Sequence, residues 1–131
     1  ETDILGFAEP NFNTIKESET VADAISLMSK IDQSELIVVN QSGEFVGKTN
    51  SLSLFNKQGP LSSIDVIDKD CVFIKHDASV QSAMEIASDF VGEIIPIVQT
   101  DQNKAVAIIT EGAIFQAYLS KQSQTVEMEK R

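Results

Sequence analysis

A chain of 131 residues with 42% hydrophobic residues is long enough to bury a core within the size of one ordinary domain. Its net charge of −10 and pI near 4.4 speak against nucleic acid and against an anionic membrane surface, because both are gripped by Lys and Arg. One cysteine, Cys71, excludes an internal disulfide, and no run of sequence nears the roughly 18 apolar residues of a membrane span.

The first predicted element is a short strand over Asn13 to Lys16. Thr20 then caps a helix, with Asp23 placed to reach back to it, and Val21, Ala24, Ile25 and Met28 fall on one helical face. Leu36 to Val39 reads as a buried strand, Gln41-Ser42-Gly43 as a turn, Glu44 to Thr49 as the second strand of a hairpin, and Ser51 to Phe55 as a short helix. Gly59 and Pro60 break the chain, and Leu61 to Asp70 reads as an acidic, solvated connector. The plan then returns. Val72 to Lys75 is a strand, and Ser79 caps a helix that turns Val80, Ala83, Met84 and Ala87 inward. Ile94 to Val98 is a strand, Thr100 to Asn103 a turn, Ala105 to Thr110 a strand, and Gly112 to Leu119 a helix packing through Ile114, Ala117 and Tyr118. The tail after Ser120 lacks apolar periodicity.

The second half restates the first. IKESETVADAISLMS, from Ile15, answers IKHDASVQSAMEIAS, from Ile74, in a constant register of 59 residues, and LIVVN answers IPIVQ. After one inserted residue, FVGKTNSLSLF answers AVAIITEGAIF. Units of about sixty residues bury too little surface to stand alone, so paired modules are expected, divided as residues 1–60 with an amino-terminal extension and 61–131 with the connector and tail. Val21, Ala24, Val80 and Ala83 are expected to be buried together.

With its order of strand, Ala-rich helix, apolar strand, turn, strand and helix occurring twice from about Asn11 to Leu119, the chain resembles a tandem pair of cystathionine-β-synthase (CBS) domains, or Bateman module. Ile95-Pro96-Ile97-Val98 matches the family's L-P-V-V strand, whereas Leu36-Ile37-Val38-Val39 lacks the proline. The resemblance implies an α/β (α+β) fold of two β-α-β-β-α repeats packed with pseudo-two-fold symmetry. It also implies that a Ser or Thr after the last strand, with an Asp three residues on, holds the phosphate and ribose of an adenine nucleotide. The positions here are Asn50 and Ser53 in the first repeat and Thr110 and Ala113 in the second. Both aspartates are missing, so any adenine nucleotide is expected to bind weakly, on the side of Thr110, with the strand Ile94, Ile95, Pro96 to Val98 flanking the base.

The resemblance further implies a regulatory module that is no enzyme, self-associates as a homodimer, and sits on the cytoplasmic side as part of a larger membrane protein. GAIFQAYLSKQ resembles the final helix of tails on bacterial chloride-channel family proteins, so a covalently attached transport domain is the first expectation. A start at Glu1 rather than Met suits an excised piece. Met28, Met84, Ile86 and Phe90 are the residues expected at a dimer face. The alternative is a free-standing adenine-nucleotide sensor, or the regulatory region of a different transporter or enzyme. SGEFVGKT, from Ser42, is similar to a phosphate-binding loop, but its spacing is one residue short, and a strand across Phe45 and Val46 would exclude it. His76 has no second His or Cys for a metal and is expected in solvent, and Asp65, Asp68 and Asp70 lack the glycine and glutamate of a calcium loop.

Overall fold

The computed structural model describes residues 3–129, with side chains described through Gln122. Helix α1 (Val21–Ile31) starts at Thr20 because both halves of a capping box are made. The Thr20 N–H donates to Asp23 Oδ2 at 3.1 Å, and the Asp23 N–H donates to Thr20 Oγ1 at 3.2 Å. Val21, Ala24 and Met28 are buried along one stripe. Ile25, expected inward, is 46% exposed, since it stands a third of a turn round the helix from Ala24. Helix α3 (Val80–Ala87) repeats the design: Ser79 Oγ accepts from the Ser82 N–H at 3.1 Å, and Val80, Ala83 and Ala87 are buried. Met84, the equivalent of Ile25, is half-buried rather than inward.

Two sheets carry these helices. In the first, β1 (Thr14–Lys16), β2 (Glu35–Val39) and β3 (Phe45–Asn50) lie in that order, β1 parallel and β3 antiparallel to β2. Every residue of β2 is buried, as suits a strand with neighbours on both sides. The turn to β3 is held by Asn40, whose Oδ1 accepts from the Ser42 and Glu44 amides, and by Gly43 at φ +82. In the second sheet, β4 (Ile74–Lys75), β5 (Ile95–Gln99) and β6 (Lys104–Ile109) follow the same order. Val72 and Phe73, expected in a strand, are exposed ahead of β4. Helix α2 (Ser51–Leu54) closes the first repeat, and α4 (Glu111–Glu129) closes the second and runs through the tail.

The chain forms two compact units, one holding each repeat. The fold class is therefore the expected α+β one, with β-α-β-β-α built twice. Val21 and Ala24 lie in the core of the first-repeat unit with Leu36, Val38 and Leu54, and Val80 and Ala83 lie in the core of the second-repeat unit with Ile95, Ile97 and Ile114.

The units do not follow a cut between residues 60 and 61. Residues up to Asn11 belong to the second-repeat unit, where Ile4 is wholly buried and its N–H donates to the Ala78 carbonyl at 3.0 Å. The connector through Cys71 belongs to the first-repeat unit, together with Asp101–Ala105. It is no solvated linker, because Leu61 and Val66 enter that core and Thr49 Oγ1 donates to the Val66 carbonyl at 2.7 Å. The two leading segments do the same work. Asp68 exchanges both backbone hydrogen bonds with Lys48 on the outer edge of β3, and Glu9 exchanges both with Ile108 on the outer edge of β6. Lys48 and Ile108 are repeat equivalents, so the outer edges of β3 and β6 are paired at the same point.

The capping box makes a measurable prediction. Donation from the Thr20 backbone and hydroxyl holds the Asp23 carboxyl below its ordinary value of 3.8. A carboxyl depressed in the folded state contributes stability that is present above its unfolded pKa and lost as pH falls through the folded one. The NMR titration midpoint of Asp23 should therefore lie below 3.8, and Thr20→Val should raise it. An unchanged midpoint in the variant would refute the assignment.

Candidate ligand pocket

Strand β3 ends where a helix must begin, and its last residue supplies the cap. Asn50 Oδ1 accepts from the Ser53 N–H at 2.8 Å, which starts α2. At the equivalent point of the second repeat, Thr110 Oγ1 accepts from the Ala113 N–H at 3.1 Å, just ahead of α4. The four positions expected to meet a ligand are thus two capping pairs. Thr110 is exposed, and its hydroxyl keeps a proton to donate.

The remaining second-repeat candidates are interior. Ile94, Ile95 and Val98 are exposed by 3% or less, and Pro96 is buried. Asn50 and Ser53 do come together in a cavity of about 190 Å³ within the first-repeat unit. Lys48, Asp65 and Asp68 share its lining. A second cavity of about 460 Å³ is walled by the same two aspartates with Glu17, Lys69 and Asp70. Asp65, Asp68 and Asp70 are brought there because the connector is pinned to β3.

Lys48 was not foreseeable as a pocket residue from its type, since it is 8% exposed. Its ammonium donates to Glu35 Oε1 at 2.9 Å, and Glu35 is 9% exposed. The register sets Glu35 opposite Asn50 and Ile37 opposite Lys48, so the pair are diagonal neighbours on one face of the sheet. The second repeat has Ile94 and Ile108 at these two positions, both buried. That contrast of an ion pair with an apolar pair is the signal the sequence carried.

Cys71 lies nearby. Burial pushes its thiol up to about 11, with the Lys48 ammonium pulling in the opposite direction. At pH 8 its alkylation by iodoacetamide should be about a hundredfold slower than that of a free thiol. Rapid labelling of the folded protein would contradict this. His76, expected in solvent, is half-buried, and its Nδ1 is buried without a hydrogen-bond partner.

The phosphate-loop reading of SGEFVGKT is excluded. Phe45 and Val46 lie in β3, and the segment is one arm of a hairpin rather than a loop whose amides converge on an anion. Among the described residues no group of His, Cys, Asp and Glu could hold a metal ion, and no helix is long and apolar enough to cross a membrane.

The family model of the CBS domain matches residues 3–47 and 63–120. The chain therefore belongs to the CBS domain family, and it carries the domain as a pair. Solved structures share the fold at low identity. CBSX2 of Arabidopsis thaliana, crystallised in complex with AMP, is 17% identical with a TM-score of 0.78, over 93% of this chain and 99% of that one. The CBS domain pair of protein MJ0100, in complex with 5′-methylthioadenosine and S-adenosyl-L-methionine, is 18% identical with a TM-score of 0.73, over 92% and 98%. The cytosolic domain of the Mg2+ channel MgtE, in complex with ATP, is 16% identical with a TM-score of 0.73, over 86% of this chain and 47% of that one. A search of curated proteins returned no match.

Proposed function

We propose that this CBS pair is a non-enzymatic regulatory module on the cytoplasmic side of a membrane transport protein, with the chloride-channel family favoured, and that it acts through homodimerisation and weak adenine-nucleotide binding. The observation that carries the association is a repeated apolar face. Ile25 and Phe55 are 46% and 69% exposed where α1 packs with α2. At the equivalent positions where α3 packs with α4, Met84 is half-buried and Phe115 is 51% exposed beside an apolar groove that also includes Ala87 and Gly112. A face built twice in one chain suits a second copy, which would bury both. Of the dimer residues expected earlier, Met84 and Ile86 are half-buried, whereas Met28 continues the buried stripe of α1 at 5% exposure and Phe90, just past the end of α3, packs into the core of the second-repeat unit at 8%.

Sedimentation should show a dimer of the 14.3 kDa chain that Phe55→Asp with Phe115→Asp dissociates. A monomer at high concentration would end that part of the proposal. For the ligand, Thr110 supplies the hydroxyl, and neither repeat supplies the carboxylate at Ser53 or Ala113. Losing a charged hydrogen-bonding partner costs about 1.5 to 3 kcal/mol, or roughly tenfold to a hundredfold in affinity. Calorimetry with AMP, ADP and ATP should give weak binding that Thr110→Val diminishes, and submicromolar binding would contradict it. The cytosolic domain of MgtE supports the transport reading as an analogy of fold. The alternative is a free-standing sensor or the regulatory region of a different transporter or enzyme. Gene sequence upstream of Glu1 separates them, since ten or more encoded hydrophobic helices would decide for a transporter.

A further inference from the structure

The charge of the Asn50 pocket deepens this proposal, on whose reading of an adenosine-containing ligand it rests. We infer that the first-repeat pocket takes a ribonucleoside without phosphate groups, uncharged or cationic, in preference to a nucleotide. The pocket's one ammonium, that of Lys48, is 2.9 Å from the Glu35 carboxylate and already faces a negative charge. Asp65 and Asp68 stand in the same lining, and both also wall the adjoining cavity, where Glu17 and Asp70 add two more carboxylates against the single ammonium of Lys69. A phosphate entering here meets more carboxylates than ammonium groups.

The same groups favour a sugar. Carboxylates accept from hydroxyls, and the cavity of about 190 Å³ is smaller than the roughly 300–1,000 Å³ of pockets that enclose whole drug-sized ligands. Asp65 and Asp68 thus place acceptors in the pocket that Ser53 cannot offer as an anion. The second repeat has no such arrangement at its ion-pair positions, where Ile94 and Ile108 stand. The two repeats differ in this chemistry within a single chain.

Calorimetry on the full chain with adenosine, S-adenosylmethionine and AMP tests the inference. Adenosine and S-adenosylmethionine should bind about tenfold more tightly than AMP, and added salt should narrow the gap. The double variant Asp65→Asn, Asp68→Asn should bring AMP to within about threefold of adenosine, the residue of a screened repulsion. Amide shifts on adding adenosine to labelled protein should include Ser53 and Val66. AMP binding as tightly as adenosine, a gap unchanged in the double variant, or shifts confined to the surroundings of Thr110 would each overturn the inference and leave an adenosine-binding module standing. Failure of all three compounds to bind would remove that reading as well.

Discussion

Glu35→Ala should lower the stability of the first-repeat unit by about 3 kcal/mol, because it leaves the Lys48 ammonium buried without its carboxylate. The low end of the range for buried pairs applies, since the two side chains are 10% and 11% exposed. Replacing both residues at once reverses the outcome. Glu35→Ile with Lys48→Ile copies the buried Ile94 and Ile108 of the second repeat, and it should be neutral or stabilising by about 1 kcal/mol. Urea unfolding of the single and double variants checks both statements. A single variant within about 0.5 kcal/mol of the parent, the usual span of surface changes, would show that the pair carries no buried charge.

Gly47→Ala should cost about 2 to 3 kcal/mol for a different reason. A Cβ at Gly47 would collide with the Asp68 carbonyl and come within 3.1 Å of Ile67 Cγ2. The first obstacle is backbone, so no rotamer change relieves it, and the connector must leave the edge of β3. The two hydrogen bonds between Lys48 and Asp68 would go with it. Hydrogen exchange should report faster exchange at the Asp68 amide than at the amides of β2, alongside the lower denaturation midpoint. Retained protection at Asp68 would mean that the connector accommodates the methyl group in place.

Elements whose local chemistry agreed with their packing were legible. Thr20 and Ser79 cap, Val21 with Ala24 and Val80 with Ala83 repeat the stripe, and Gly43 makes the turn, because caps, periodicity and turn residues act within a few positions of one another. What stayed hidden depends on distant contacts. Ile4 is followed by Leu5 and Phe7, both exposed, and only its place beside Ala78 explains why it alone of the three is buried. Leu61, Ile64, Val66 and Ile67 alternate irregularly with acids, without helix or strand period, so the stretch reads as a linker until the edge of β3 is seen to hold it. Lys48 and Glu35 are charged residues 13 positions apart, and charged residues are read as solvent-facing unless the strand register is known. The collision at Gly47 was equally invisible, since the repeat register pairs it with Ala107. In the candidate site, Asn50 and Ser53 were found through family resemblance, whereas Asp65 and Asp68 reach the pocket only through tertiary placement.

The route of the backbone has a mechanical consequence. The segment through Asn11 is fastened by Ile4 and Glu9 to the unit that holds the second repeat, not to the repeat that follows it in sequence. A pull or twist applied at the amino end therefore loads the unit farther along the chain first, and it loads it through the outer edge of β6, the strand that leads directly into Thr110 and α4. The connector gives the unit of the first repeat a matching handle at Asp68, on the strand that leads into Asn50. In both units, tension on the leading segment therefore bears on the strand whose end carries the capping residue.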